Sequence, residues 1–414
     1  MPFQDTAPGL DDLLLDVVTI IELSDHDREV AENRYRKLKP HLERPSSPLR
    51  PYLMSSSSLI YAQGSMAIGA TIVSGTDEDR FDVDALVDMK VPAHWSNDDG
   101  LDQLFVALQG FPDVRKFVRC TRCVQMQFAF MHMDVTILDP APEPRPDRVG
   151  EIFHSPDGGG MGYRVPSNPY GFGLWYRQNV VYPTREFLEQ VRARRRSSGV
   201  NRLPDLSVIA KAEQESLPPV IPDRVDAQQV YALKLMKRFL NLRYEKRTLR
   251  RPPSIYLTKL SSTCGYDQRG LTAQLERLAS KVQAEMEAAI RAERGPDERN
   301  PSYFPDRLND RWPTTQTERK ALADDMASLL GDLNSARTAD ITEMLSILAR
   351  LFGERVKQRT YESFTQRLDQ RAGRRNMSVE RGTGSILPAS AVVAPAVARS
   401  AVPRHNFHSE DDIE

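Results

Sequence analysis

The sequence predicts an α+β fold in which an α/β half is followed by a helical half. Strand-like sequence fills much of the segment from Ile60 to Leu138, and helical periodicity dominates after about Gly173. From about residue 372 the chain is rich in Ala, Val, Pro and Ser and shows neither period, which predicts a tail without regular structure. We therefore expect a first domain with N-terminal helices at 1–180, a helical domain at 181–371 and a disordered tail at 372–414.

The composition is that of an ordinary globular protein and excludes recognition driven by overall charge. The chain has 414 residues, 40% of them hydrophobic, and its 56 basic residues nearly cancel its 57 acidic residues. We therefore expect neither a nucleic-acid partner nor a membrane partner, and interpret the basic stretches Arg192–Arg196 and Lys246–Arg251 as solvated faces. The N-terminus lacks a signal-peptide pattern, and no stretch approaches the ~20 apolar residues that span a bilayer. A cytoplasmic protein is expected.

Two helices are predicted ahead of the strands. Residues 10–23 have the pattern of an amphipathic helix. Ser24 is a predicted N-cap, with Asp27 three residues later, and opens a charged helix that Pro40 ends. The Pro- and Ser-rich stretch from Pro45 to Ser58 predicts a loop.

Four strand-like runs follow this loop, with one helix among them. The runs are YAQGS, ATIVS, FDVDALVDM and CVQMQFAFMHMDVTIL, and the helix is predicted from Leu101 to Leu108. Cys120 and Cys123 lie in the predicted strand segment Phe117 to Phe130. Because no second pair completes a zinc site, we interpret them as structural cysteines. Residues 141–172 are rich in Pro and Gly, so a loop-rich segment is expected there.

The helical half is predicted from its apolar period. Five helices are expected, at 186–196, 226–246, 271–294, 317–333 and 338–369. No internal repeat of fixed period is present, which excludes a solenoid.

The chemistry of the chain centres on the segment Phe81-Asp82-Val83-Asp84-Ala85. In a strand, Asp82 and Asp84 project side by side on one face while Val83 and Ala85 enter the core. Two carboxylates held so close repel each other unless a cation lies between them, and Mg²⁺ suits oxygen ligands and phosphate chemistry. On spacing and strand context alone, a solvated strand face explains the pair equally well.

Two further features favour a functional interpretation. Gly64-Ser65 can bring backbone N–H groups and a hydroxyl close to a phosphate, although an ordinary turn has the same composition. Asp134 lies in an apolar strand, where an acid is costly unless it is bound to metal or, alternatively, to a structural salt-bridge partner. Asp82, Asp84 and Asp134 could together hold two Mg²⁺ ions, with Mn²⁺ as a substitute, to activate a hydroxyl and neutralise a triphosphate. Asp134 would then lie nearest the hydroxyl and help to remove its proton.

These residues resemble the motif of the cGAS/DncV-like nucleotidyltransferases, the CD-NTases of bacterial anti-phage CBASS systems. That motif has a Gly-Ser step, a D-x-D strand and a third Asp on a later strand, in the order found here. The resemblance covers about residues 55 to 315. Four later elements narrow the choice of family within the broader nucleotidyltransferase superfamily. They are Ser167–Phe172 with Trp175, Leu235–Arg238, Pro252–Leu257, and Asn300-Pro301 with Asn309–Trp312. The Leu235–Arg238 element departs from relatives by continuing Phe239-Leu240-Asn241 where they often have H-R-D.

The resemblance implies a polymerase-beta-like α/β core with a mixed sheet, a C-terminal helical domain and a magnesium-dependent transfer reaction. It implies that nucleoside triphosphates are joined into a cyclic di- or trinucleotide second messenger for anti-phage defence. CBASS accessory proteins and a downstream cyclic-nucleotide effector would be partners, and Lys237 would bind the donor triphosphate, unless it lies on a solvated helix face. The alternatives are a nucleotidyltransferase acting on an RNA or protein acceptor and a catalytically inactive scaffold.

Overall fold

The structure is a computed structural model that describes residues 9–54, 58–73, 80–143, 147–156, 161–197, 226–373, 377–380, 386–388 and 399–401. The helices are α1 Leu10–Ile21, α2 Asp25–Leu42, α3 Arg50–Leu53, α4 Gly64–Ala67, α5 Asp99–Leu108, α6 Pro169–Asn179, α7 Arg185–Ser197, α8 Gln228–Glu245, α9 Ser254–Thr263, α10 Leu271–Arg291, α11 Gln316–Ala336, α12 Ile341–Phe352 and α13 Glu354–Gly373. The strands are β1 Leu59–Gln63, β2 Phe81–Asp88, β3 Lys116–Arg119, β4 Val124–Gln127, β5 Met131–Pro140, β6 Gly150–His154, β7 Tyr163–Ser167, β8 Arg299–Asn300, β9 Tyr303–Arg307, β10 Met377–Glu380, β11 Ile386–Pro388 and β12 Arg399–Ala401. Among the described helices, none is long and apolar enough to cross a bilayer.

A seven-stranded mixed sheet organises the first half of the chain. Its order is β1-β2-β5-β4-β3, and β6 pairs with both β5 and β7. Strands β2 and β5 are parallel, whereas the other pairs in this sheet are antiparallel. The apolar residues Phe81, Val83 and Ala85 of β2 are fully buried, so the strand alternates as the sequence predicts. The mixed sheet and the helices that follow it confirm the predicted α+β class.

Helix α1 packs on the helical half of the chain. Its apolar residues Leu13, Leu14 and Val17 are completely buried, and the helix contacts α7, α8, α10 and α13. Buried side chains form one hydrophobic cluster that runs from the sheet into these helices. The structure thus places α1 against the predicted second domain, and the boundary near residue 180 stays a prediction.

Acidic side chains in α1, and one directly after it, connect that helix to three others. The Asp11 carboxylate accepts the backbone N–H of Thr272 at 2.7 Å, which caps the start of α10. Asp16 accepts from Arg367 of α13 at 2.6 Å. Glu22 accepts from the buried Lys234 of α8 at 2.5 Å. Because such charges are costly without partners, these contacts fix where the helices lie relative to α1.

Two predicted helix ends differ from the structure. Pro40 does not end α2, which continues to Leu42. This Pro lies in the last turn and removes a single donor, while the N–H of Glu43 still bonds to the carbonyl of Lys39 at 3.0 Å. The helix predicted over 338–369 is two helices, because Gly353 has φ 99° and ends α12.

The predicted strands also need correction. The run from Cys123 to Leu138 is a hairpin, because the N–H of Phe128 bonds to the carbonyl of Met131 at 2.8 Å and reverses the chain. The run ATIVS forms no strand over its described residues 70–73. Its N–H groups of Ala70 and Val73 bond instead to the carbonyls of Ser65 and Ile21.

Two predicted irregular segments contain strands, and one predicted strand contains a turn. Segment 141–172 holds the hairpin β6–β7, in which Pro166 is tolerated because β7 is an edge strand. Cys120 and Cys123 close the turn between β3 and β4, with the N–H of Cys120 bonded to the carbonyl of Cys123 at 2.9 Å. In the predicted tail, β10, β11 and β12 form a three-stranded antiparallel sheet. The other residues after 373 lie outside the described ranges.

We expect Glu22→Ala to lower the free energy of unfolding by about 3–5 kcal/mol, because it leaves Lys234 and Arg195 buried without this carboxylate. Urea unfolding followed by circular dichroism measures the change. The control is Glu189→Ala, which breaks the exposed pair of Glu189 with Arg185 and is expected to cost less than about 0.5 kcal/mol. Equal losses in the two variants would contradict the role given to Glu22.

Candidate active site

Parallel pairing of β2 and β5 gathers the predicted carboxylates on one face of the sheet. Asp84 lies opposite Asp134, and Asp82 lies opposite His132. A cleft of about 440 Å³ is lined by Asp82, Asp84 and Asp134 on one side. Gly64, Ser65 and Lys237 line the same cleft. The structure therefore brings all of the predicted site residues together, while their chemical roles stay predictions.

The surroundings of Asp84 and Asp134 disfavour the charged forms of these two carboxyl groups. Burial, together with the negative charges of Asp134 and Asp82, raises the pKa of Asp84 to about 7. Burial also raises the pKa of Asp134, although the amide of Gln125 donates to its carboxylate at 3.0 Å. Repulsion between neighbouring acids of this kind is relieved by a bound cation.

The donor set fits a hard divalent cation. Carboxylate oxygens are the ligands that Mg²⁺ prefers, and the crowded Asp84 would be stabilised in its charged form by such an ion. Across the described ranges, no three His, Cys, Asp or Glu side chains already converge as a complete set of metal ligands.

The Gly-Ser step lies directly against the carboxylates. Gly64 begins α4 with φ 60°, and a Cβ atom placed on it would overlap the carboxylate of Asp84. Only glycine meets both conditions, because it has no Cβ and tolerates positive φ. The hydroxyl of Ser65 lies 3.2 Å from the hydroxyl of Thr71. The turn therefore presents its backbone to the cleft beside Asp84.

Lys237 faces the carboxylates from α8. Its ammonium group donates to the carbonyl of Ala70 at 2.8 Å. Burial, together with the positive charge of Arg251, lowers the pKa of Lys237 to about 8. Lys237 thus lies in the cleft wall, apart from Arg238 on the same helix, which donates to the carbonyl of Phe352.

Arg251 and Asn241 are cleft residues to which the sequence pattern assigns no part in the site. Both line the cleft, and the guanidinium of Arg251 donates to the side-chain carbonyl of Asn241. Arg251 belongs to the basic run that the sequence predicts as a solvated face, and its position directly before the Pro252–Leu257 element is the signal that sets it apart. The interpretation as a solvated face is wrong for Arg195, which is buried in ion pairs with Glu22 and Asp226.

The later motif elements form a junction beside the cleft. The backbone N–H of Asn168 donates to Asp306 at 2.9 Å, and the amide of Asn300 donates to the carbonyl of Asn168 at 2.9 Å. The hydroxyl of Ser302 donates to the carbonyl of Gly171 at 2.8 Å. These contacts join α6, which lines the cleft, to the segment that contains β8 and β9. Their role in the described structure is to hold the cleft wall.

His132, to which the sequence gives no role, lies beside the carboxylates. Its Nδ1 atom is 3.5 Å from the carboxylate of Asp82, and a hydrogen bond to that carboxylate raises the pKa of His132. His132 is therefore a hydrogen-bonding neighbour of Asp82, and the contact explains the raised pKa of the histidine.

Comparisons with known proteins point to one group of enzymes. No family model matches the chain. The chain is 30% identical over 412 residues to the cyclic dinucleotide synthase CdnG of Bradyrhizobium diazoefficiens, covering 96% of this chain and 95% of that protein. The structure of the CD-NTase CdnG of that organism in complex with GTP has a TM-score of 0.72 and 29% identity, covering 88% of this chain and 100% of that chain. The structure of Escherichia coli MS115-1 CdnC with ATP shares the fold, with a TM-score of 0.51, 16% identity, and coverage of 83% and 98%.

The pKa of Asp84 predicts a pH-dependent stability when divalent ions are removed with a chelator. Because this pKa is raised from 3.8 to about 7, the folded protein holds a proton that the unfolded chain loses between these values. Stability should therefore fall as the pH rises from about 4 to 7. We expect Asp84→Asn to remove part of this slope, gaining on the order of 1 kcal/mol relative to the wild type between pH 5 and pH 7.

Urea unfolding at the two pH values measures this difference. The control is Asp332→Asn, which changes a surface acid paired with Arg350 and should give the wild-type slope. Identical slopes for Asp84→Asn and the wild type would show that Asp84 stays ionised.

Proposed function

Because the chain belongs to the CD-NTase family of nucleotidyltransferases, we propose that it joins two nucleoside triphosphates, at least one of them GTP, into a cyclic dinucleotide. Membership of this family confirms the resemblance found in the sequence and makes the chain an enzyme. One observation carries the proposal. The carboxylates, the Gly-Ser step and the lysine predicted from the motif line a single cleft, in a chain that aligns over nearly its whole length with a cyclic dinucleotide synthase.

The proposed reaction is two successive phosphodiester transfers. A ribose hydroxyl of one nucleotide attacks the α-phosphate of the other, and pyrophosphate leaves with the electrons of the broken P–O bond. A second attack within the linear intermediate closes the ring and releases a second pyrophosphate. Positioning and charge neutralisation account for most of the rate in such transfers.

Each site residue has a part in this proposal. Asp82, Asp84 and Asp134 would hold the divalent cations, two Mg²⁺ ions or Mn²⁺ in their place. When bound, these ions would lower the pKa of the attacking hydroxyl and neutralise the triphosphate. Asp134 would accept the hydroxyl proton. Gly64 and Ser65 would bind phosphate oxygens through backbone N–H groups and a hydroxyl.

The opposite wall supplies positive charge. Lys237 lines the same cleft as Asp84 and would donate to the donor triphosphate in place of the carbonyl of Ala70. A triphosphate between Lys237 and the carboxylates would have its negative charge balanced on one side by the lysine and on the other by metal.

We infer the size of the product and the partners from the family. A cyclic dinucleotide is favoured over a trinucleotide, and over transfer to an RNA or protein acceptor, because the aligned CdnG is named a cyclic dinucleotide synthase. Anti-phage defence, CBASS accessory proteins, a downstream cyclic-nucleotide effector and a cytoplasmic location belong to the same proposal. Their support is the family resemblance.

We expect the purified protein with Mg²⁺ and α-³²P-labelled GTP, with or without the other nucleotides, to form a phosphatase-resistant product on thin-layer chromatography. Asp82→Ala combined with Asp84→Ala should reduce its rate at least about 10³-fold, because losing about 4 kcal/mol of charge stabilisation has this effect. A chelator should also abolish the product.

Asp139→Asn is the matched control, since Asp139 is an acid on β5 that pairs with Lys90 and Arg164 outside the cleft. Transfer of label to added RNA or protein, without a phosphatase-resistant product, would refute the cyclic product. It would favour a nucleotidyltransferase that acts on an RNA or protein acceptor.

A further inference from the structure

Arg251 shares one wall of the cleft with Lys237 and Asn241. On α8, Lys237 and Asn241 are four residues apart and therefore lie on the same face of the helix. Arg251 comes from the segment after α8 and returns to that face, where its guanidinium donates to the side-chain carbonyl of Asn241. All of these side chains line the cleft that contains Asp82.

The backbone next to Arg251 is held on both sides. The indole N–H of Trp312, which is buried, donates to the carbonyl of Arg250 at 3.1 Å. Pro252 and Pro253 follow, and a residue before proline is confined to extended conformations. The Trp312 ring packs against Tyr256 of α9 with the ring centroids 5.4 Å apart. Arg251 is therefore presented to the cleft from a fixed segment.

The charge of Arg251 is not neutralised by a contacting acid. Among the described residues, no carboxylate lies within 4 Å of its guanidinium, whereas the nearby Arg247 makes two hydrogen bonds to Asp325. Arg251 is also close enough to Lys237 to lower the pKa of that lysine. Asp82 in turn lies close enough to Arg251 for its negative charge to favour the charged guanidinium. Two cations thus face the carboxylates across the cleft, and a polyanion bound between them would relieve their repulsion.

We propose that Arg251 is a second phosphate-binding residue for the donor triphosphate, and that Asn241 orients it without neutralising its charge. A guanidinium has five N–H donors, and the contact with Asn241 leaves others for phosphate oxygens in the paired geometry that Arg favours. A carboxylate in the place of Asn241 would form an ion pair and compete with the phosphate. This inference rests on the proposed function of the cleft and adds a specific anchor to it.

Measuring the binding of three probes distinguishes a phosphate-binding role of Arg251 from a general disruption of the cleft. Calorimetry with Mg²⁺ would compare a GTP analogue with an α,β-methylene bridge, GMP and inorganic triphosphate. We expect Arg251→Gln to weaken binding of the analogue and of inorganic triphosphate about tenfold, as loss of a charge-assisted hydrogen bond does, and to change GMP binding less than about twofold. The control Lys246→Gln, an exposed cation at the end of α8, should leave every affinity unchanged.

Asn241→Asp tests the second half of the proposal. It should weaken binding of the analogue in the wild-type background, and have a smaller effect in the Arg251→Gln background because the pair is then already broken. Equal losses for the analogue and for GMP in Arg251→Gln would overturn the role of Arg251, and additive losses in the double variant would overturn the role of Asn241. If the wild type makes no cyclic product while Arg251→Gln still loses the analogue selectively, the proposed function fails and this inference stands.

Discussion

Mutual repulsion among carboxylates on two adjacent strands is the constraint around which this protein is arranged. Parallel pairing of β2 and β5 fixes Asp84 opposite Asp134, and the chain cannot separate them without moving the buried side chains, such as Val83, that alternate with them. The fold therefore maintains an arrangement that is electrostatically unfavourable in isolation. An unfavourable electrostatic free energy of this kind is typical of functional sites, where ligand binding and packing elsewhere in the protein offset it. Gly64 contributes by allowing the backbone to approach Asp84 where any side chain would collide.

The positive side of the cleft depends on a different part of the chain. Lys237 belongs to α8, and one turn before it on that helix Lys234 is bound to Glu22, just after α1. The contacts between Asn168, Asn300 and Asp306 hold a further part of the wall. The cleft thus joins acidic residues of the sheet to basic residues of the helical half, and each set is held by its own structural contacts. A change in either set of structural contacts would alter the distance between them without touching a reacting group.

The sequence was informative where chemistry and local pattern coincide. Asp82 and Asp84 could be placed on one face because strand alternation is strict, and the motif order brought Gly64 and Asp134 to them. The turn at Phe128–Phe130 could not be predicted, because two antiparallel strands have the same alternation as one long strand. Pairing of β6 with β7 depends on distant partners. The place of Arg251 in the cleft could not be predicted, because it depends on tertiary contacts. The sequence does not show which acidic side chains lie near its guanidinium.

The contact between Asp16 and Arg367 has a consequence for how the protein is made. These residues are 351 positions apart, so the first described helix obtains one of its partners from the last described one. During synthesis α1 leaves the ribosome long before α13 exists, and its apolar face must wait for helices that are still to be translated. Long-range closure of this kind slows folding and delays it to the end of translation. A truncated nascent chain would therefore carry every cleft residue and still lack the helix that closes its scaffold.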